Sequence, residues 1–169
     1  MALRKPSRRK SKKPSRKPSR RKSRRKSNKP IHKPSIAEQL DNLPDNLDND
    51  EIRIAIKLWF LDSELCSETY GHISDWDVSE VTRMNGLFKN RYDFNEPLNG
   101  WDVSAVYDME GMFENARTFN QPLNNWNVSE VEDMDRMFKG AKSFNQDIGN
   151  WDVSKLTNMK YMFANATAF

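Results

Sequence analysis

The chain has 169 residues and a net charge of +4, but the two signs of charge occupy different parts of it. Residues 1–34 hold 17 Lys and Arg and no acidic residue, whereas the remainder holds 11 Lys and Arg and all 24 Asp and Glu, which makes the chain a polyampholyte. The single cysteine, Cys66, excludes an intrachain disulfide and a cysteine-based metal site, and it favours a reducing compartment. The two histidines lie far apart in the sequence and suggest no histidine cluster. We therefore predict no metal or cofactor.

The hydropathy pattern predicts neither a membrane-spanning segment nor a signal peptide. We find no apolar run long enough to span a bilayer, and no apolar segment follows the basic start as it would in a signal peptide. We therefore predict an intracellular protein, and nuclear and virion-associated locations both stay open.

Residues 1–34 are predicted to be a disordered tail rich in Lys, Arg, Ser and Pro, because high charge and five prolines leave too little apolar surface to bury. A polycation attracts polyphosphates by releasing counterions, so we expect it to bind nucleic acid or another polyanion, or to direct nuclear import. The residues predicted to make polyanion contacts are Arg8, Arg9, Lys10, Lys12, Lys13, Arg16, Arg20, Arg21, Arg24 and Arg25. The alternatives are a merely solvated tail, a membrane-surface contact, or docking on the acidic body of the same chain.

Serines recur at every fourth residue of this tail, from Ser7 to Ser27. Ser11, Ser23 and Ser27 follow basic residues and are predicted phosphorylation sites. Each phosphate adds about −1.5 to −2 charges, so phosphorylation would act as a switch on polyanion binding.

After a linker over residues 35–47, residues 48–75 are predicted to form an N-terminal helical cap. Residues 51–60 place apolar side chains on one helical face, and a second short helix over residues 63–69 is expected to end near Gly71. Cys66 is expected to pack there as a small apolar side chain.

From residue 76 onward one sequence motif occurs four times. It starts at Trp76, Trp101, Trp126 and Trp151, at a constant spacing of 25 residues, and the fourth copy stops at residue 169. A fixed period of this length indicates a solenoid, and the spacing of Leu98, Trp101 and Val103 matches the strand of leucine-rich repeats. The alternation of residues 101–104 predicts that Trp101 and Val103 face inward.

The second half of each copy has helical spacing. Met109, Met112, Phe113 and Ala116 lie at i, i+3, i+4 and i+7, which predicts a two-turn helix with these side chains in the core. The predicted fold class is thus an α/β repeat solenoid, a leucine-rich-repeat-like right-handed coil of short parallel strands and short helices. Its uncapped C-terminal coil is predicted to allow self-association.

Asparagines follow the last phenylalanine of the first three copies. Asn95, Asn120 and Asn145 are predicted to be buried and to bond the backbone of the next coil. The tryptophans are predicted to be core rather than a ligand platform, because they repeat at an inward position.

One series of side chains points outward in this scheme. Asp77, Asp102, Asn127 and Asp152 are predicted to form a column about 5 Å apart across the sheet. This column is the candidate partner face, for a basic protein or a cation, and a solvated acidic face is the alternative. No Ser/His/Asp constellation or glycine-rich phosphate loop is evident, so we predict that the protein is not an enzyme.

At these residues the chain resembles a known family. The fourth copy, with its WDVS start at Trp151, its Met162-Phe163 pair and the Phe144-Asn145 that precedes it, is similar to the BspA-like, DUF285-type leucine-rich repeat. The resemblance covers about residues 48–169 and implies a repeat protein, which in bacterial members is a surface adhesin. We predict a non-catalytic protein-interaction repeat module with a polybasic tail, and an adhesin-like repeat protein is the alternative.

Overall fold

The computed structural model of the protein describes residues 46–169. The predictions of disorder, polyanion contacts and phosphorylation for residues 1–34, and most of the linker, lie outside the described residues. Two α-helices open the described part, α1 over Glu51–Leu61 and α2 over Ser63–Tyr70, followed by a 3-10 turn over Ile73–Asp75.

The start of α1 is set by side chains that satisfy its first backbone groups. The Asp48 carboxylate accepts the N–H groups of Asp50 at 2.8 Å and Glu51 at 2.9 Å, and the Glu51 carboxylate accepts the N–H of Asp48 at 3.0 Å. Its apolar face is buried as the spacing predicts. The buried residues of α1 are Ile52, Ala55, Ile56 and Leu58. The predicted first helix is therefore confirmed.

The second helix is capped at both ends. The Asp62 side chain accepts the N–H of Leu65 at 3.0 Å, and Gly71 ends the helix with a φ of 76°, a conformation that suits glycine. Cys66 is fully buried against α1, with its Sγ 3.6 Å from the carbonyl oxygen of Ala55. Burial, with the nearby charge of Asp62, raises the pKa of the thiol to about 11. The prediction that Cys66 packs as a small apolar side chain is confirmed by its burial.

The predicted leucine-rich-repeat-like solenoid of parallel strands and helices is wrong. No helix or extended strand occurs after residue 75 among the described residues. Three isolated parallel bridges replace the expected sheet, and they join Arg83 to Asp108, Asp108 to Asp133, and Asp133 to Asn158. We refer to the four copies as repeat 1 (76–100), repeat 2 (101–125), repeat 3 (126–150) and repeat 4 (151–169).

Left-handed residues prevent the predicted helix of each repeat. In repeat 2, Gly111 and Asn115 have φ values of 57° and 61°, and the N–H groups of Met112 and Ala116 bond the carbonyls of Met109 and Phe113, three residues earlier. Such a residue at the third position of a turn is the mark of a type II turn, and it interrupts an α-helix. The same two positions have positive φ in every repeat, at Gly86 and Asn90, Gly111 and Asn115, Arg136 and Gly140, and Tyr161 and Asn165.

The alternate N–H groups of the same segment bond the next repeat. Met109 donates to the carbonyl of Asp133 at 2.8 Å, and Phe113 donates to that of Met137 at 2.9 Å. Gly111 and Asn115 donate to the next repeat in the same way, each at 2.7 Å. An α-helical ladder cannot form because half of its donors are used between repeats, and the repeats stack through these bonds instead.

The predicted strand is also replaced by turns, although its inward and outward pattern is confirmed. Trp101 and Val103 are buried at 3% and 1% exposure, and Asp102 between them is exposed. The Asp102 carboxylate accepts the N–H of Ser104 at 3.0 Å, and Val106 donates to the carbonyl of Val103 at 3.0 Å. These local bonds bend the chain where a strand would stay extended.

Two columns of stacked phenylalanine rings run through the core. The Phe113 ring centroid lies 5.4 Å from Phe88, 5.5 Å from Phe138 and 4.1 Å from Phe119. The indole of the tryptophan that starts each repeat is buried and donates a hydrogen bond. Trp101, Trp126 and Trp151 donate their Nε1–H to carbonyls 28 residues earlier at 2.8, 2.8 and 3.1 Å. The prediction that the tryptophans are core residues is confirmed.

The helices pack on the outer side of repeat 1. Phe60 lies edge-on to Phe88 and Phe94 at 6.5 and 5.7 Å, and Trp59 lies edge-on to Trp76 at 6.1 Å. The described part of the chain therefore has one continuous core, which α1 extends beyond the first repeat.

Candidate acidic face

The predicted partner face occupies one equivalent position in each repeat. Asp77, Asp102, Asn127 and Asp152 are all exposed and are 25 residues apart. Each one turns a side-chain oxygen back to the N–H of the serine two residues later, at 3.0, 3.0, 3.2 and 3.0 Å respectively. These residues consequently shape the chain as well as facing solvent.

The carboxylates of this face are held in their charged form. Hydrogen bonds from the hydroxyl and then the N–H of the following serine lower the pKa of Asp77 and Asp102. For Asp152 the N–H of Ser154 is the larger cause of the lowered pKa. The charge of Asp77 opposes the shift at Asp102, so these two carboxylates interact across the repeats. All three are ionised at neutral pH.

The predicted sheet beneath this column is wrong, since no strand pairs there. The position recurs because the turns of successive repeats stack. In each aspartate, Oδ1 accepts the serine N–H, and Oδ2 accepts no hydrogen bond from residues 46–169. Over the same residues, no group of three or more His, Cys, Asp and Glu is placed to hold a metal ion. The face therefore presents three separate carboxylates.

A second charged column was missed from the sequence. The buried carboxylate of Glu114 lies between the ammonium groups of Lys89 at 2.7 Å and Lys139 at 3.1 Å, and the three residues are 25 apart. Burial raises the pKa of Glu114, but the hydrogen bonds and charges of the two lysines outweigh it and leave the pKa lowered. The alternation of Lys, Glu and Lys at one repeat position was the available signal.

Two of the three asparagines, Asn95 and Asn120, bond the backbone of the next repeat as predicted, and the Asn145 side chain makes no such bond within residues 46–169. Asn95 accepts the N–H of Asn120 at 2.8 Å, and Asn120 accepts that of Asn145 at 2.9 Å. The predicted burial is wrong, because all three side chains are exposed. The ladder therefore runs along the surface of the stack.

Comparison with known proteins places the chain in a family. A family model described as a Mycoplasma protein of unknown function, DUF285, matches residues 57–169, which is well over half of the chain. The chain belongs to the DUF285 family. No curated protein and no solved structure matches it. The finer BspA-like relationship stays a prediction for this DUF285 member.

The two helices also test the prediction that the chain has no membrane-spanning segment. Neither α1 nor α2 is both long and apolar enough to cross a membrane, and residues 46–169 contain no other α-helix.

Proposed function

We propose that this DUF285 member is a non-catalytic protein-interaction module that engages a basic partner through Asp77, Asp102 and Asp152. The observation that supports the proposal is the repetition of one exposed, ionised carboxylate at the same turn of three repeats. The stacked turns repeat these charges at a regular spacing, which favours an extended cationic surface or segment over a small ligand.

The surrounding charge supports the same proposal. Residues 46–169 contain 21 Asp and Glu against 11 Lys and Arg, so the described part is strongly acidic. Such a field speeds encounter with cations and repels polyanions. Residues 1–34 carry the opposite charge, and we propose that they bind nucleic acid or direct nuclear import, which would make the protein an adaptor between a basic protein and a polyanion.

The chain itself supplies the matched substitution for a test. Asn127 makes the same turn as the aspartates without their charge, so Asp77→Asn, Asp102→Asn and Asp152→Asn together remove three charges and keep the local bonds. The control removes three exposed charges elsewhere through Glu64→Gln, Glu68→Gln and Asp93→Asn.

Binding of an oligolysine peptide, measured by calorimetry at low salt, distinguishes the two sets. We expect the face variant to bind about tenfold more weakly, since each exposed ion pair contributes about 0.2–1 kcal/mol. The control should lose much less affinity. An equal loss in both variants would show that only net charge matters and would refute a specific face.

The tail is tested separately in the full chain. Replacing its ten predicted contact residues by glutamine should remove most of the salt-dependent binding to a DNA duplex, and log Kd should then depend less steeply on log salt. Unchanged DNA binding together with unchanged nuclear localisation would refute this half of the proposal.

A further inference from the structure

A basic groove lies between α1 and repeat 1. Its volume is about 440 Å³, and four cationic side chains line it, Arg53 and Lys57 from α1 with Lys89 and Arg91 from repeat 1. No Asp or Glu is among the described residues that line it. The groove is thus a concentrated positive site on a part of the chain in which acidic residues outnumber basic ones almost two to one.

Two of the cations are held in place before any ligand arrives. Arg53 donates to the backbone oxygen of Asn85 at 3.1 Å and to its side-chain oxygen at 2.6 Å. The Arg91 guanidinium lies over the Phe60 ring, 4.1 Å from its centroid. Fixed guanidinium groups lose little conformational freedom when they bind an anion, so preorganisation favours binding.

The two lysines differ in how far their charge is already matched. Lys89 contacts the Glu114 carboxylate at 2.7 Å, but that carboxylate is shared with Lys139. Lys57 is exposed and forms no ion pair within residues 46–169. The groove therefore keeps an excess of positive charge.

An aromatic cavity of about 420 Å³ adjoins the groove and shares Asn90 and Arg91 with it. Trp59, Phe60 and Tyr92 line this cavity, and Tyr92 is 46% exposed. Arg91 and Arg117 already lie over one face of Phe60 and of Tyr92, and the remaining aromatic surface can accept a planar ring by stacking. Asp93 and Glu96 also line the cavity, so an anionic group would be repelled there and attracted to the groove.

We propose that the groove and the cavity together bind a small ligand of the nucleoside phosphate class. The phosphates lie among Arg53, Lys57, Lys89 and Arg91, and the planar ring lies against Trp59 and Tyr92. Arginine forks match phosphate oxygens and lysines add positive charge, while the opposite charges of the two halves fix the ligand's direction. This site is independent of the acidic face, which lies on other residues.

The test is a titration of the ¹⁵N-labelled full chain with ADP, followed through amide and indole chemical shifts. Shifts are expected at Lys57, Gly86, Asn90 and the Trp59 indole, separate from any at residues 1–34. Lys57→Gln and Lys89→Gln should each weaken this binding about two- to fivefold, the range for an exposed ion pair. Lys142→Gln is the matched control, because it removes an exposed lysine from repeat 3.

Each other outcome counts against the proposal. Shifts confined to residues 1–34, or an equal effect of Lys57→Gln and Lys142→Gln, would show unspecific attraction. Adenosine binding as tightly as ADP would show that the cations do not recognise phosphate, and pyrophosphate matching ADP in affinity would show that the ring has no place. Variants whose amide spectra keep the dispersion of the natural chain exclude misfolding as the cause of a loss.

Discussion

Repeats 3 and 4 share the same apolar motif and differ sharply in burial. Met134 and Phe144 of repeat 3 are fully buried, whereas their equivalents Met159 and Phe169 are 58% and 52% exposed. Within residues 46–169, repeat 3 has a neighbour on both sides and repeat 4 on one side. The comparison shows that the motif supplies apolar side chains, and that burial depends on the adjacent repeat.

Repeat 1 shows that the neighbour need not be another repeat. On its outer side α1 replaces a repeat, and Phe60 places its ring against Phe88 and Phe94. Phe88 is fully buried there, as Phe113 is between two repeats. A helix with suitably placed aromatic residues thus completes the stack. The contribution of a neighbouring repeat to stability can be measured by substituting equivalent residues in an inner repeat and in repeat 4.

The largest difference is expected for the stacked rings. Phe113→Ala should lower the free energy of unfolding by about 3–5 kcal/mol, because Phe113 is fully buried between two rings. Phe163→Ala should cost less than half as much, since Phe163 is partly buried and stacks on one repeat only. Urea unfolding measures both, and equal losses would contradict the dependence on a neighbour.

The methionine pair should show the next largest contrast. Met134→Ala removes a fully buried side chain and should cost about 2–4 kcal/mol. Met159→Ala, at the equivalent position in repeat 4, should change stability by less than about 0.5 kcal/mol because the side chain is mostly exposed. If Met159→Ala proved as costly as Met134→Ala in the same unfolding experiment, repeat 4 would have to be covered in solution.

The sequence predicts which side chains of the repeats are buried, but it does not predict the backbone conformation. Inward Trp101, Val103 and Met109 follow from apolar spacing alone, because spacing reports which side chains must leave water. The helix prediction failed because the i, i+3, i+4, i+7 spacing also fits two consecutive tight turns. Gly111 and Asn115 were the signal for turns, but Arg136 and Tyr161 occupy the first of these positions in later repeats and obscure it.

The candidate sites differ in the same way. The column at Asp77 and Asp102 follows from a period visible in the sequence, although its second role in turning the chain does not. The basic groove brings Arg53 and Lys57 to Lys89 and Arg91, more than 30 residues away. Only packing of α1 on repeat 1 creates that proximity, so no local pattern could indicate it.

The ion pairs of the buried Glu114 should contribute less to the free energy of unfolding, and their contribution should depend on pH. Glu114→Gln should destabilise the fold by about 1–2 kcal/mol at neutral pH. Because folding lowers the pKa of Glu114 below its ordinary value of 4.5, its stabilisation is complete above that value and is lost as pH falls through the folded pKa. The exposed Glu130, paired with Lys155 of repeat 4, is the control. Glu130→Gln should have little effect at any pH, and equal pH profiles would contradict the role of burial.

The surface ladder should give the smallest contrast. Asn120→Ala removes the acceptor for the N–H of Asn145 and for Gln146, so we expect a loss of about 1 kcal/mol. The side chain of Asn145 accepts no hydrogen bond within residues 46–169, and Asn145→Ala should be nearly neutral. Thermal unfolding of the two variants checks this, and a larger loss for Asn145→Ala would count against the ladder.

The phenylalanine columns also carry a magnetic consequence. A ring that lies face to face between two others is shielded by the ring currents of both, so protons of Phe113 should resonate well upfield of their random-coil positions. Phe169 stacks on Phe144 and Phe163, with interplanar angles of 17° and 3°, and has no ring on its far side among the described residues. Its shielding should fall first when repeat 4 opens, so the aromatic spectrum would report loosening of the stack one repeat at a time.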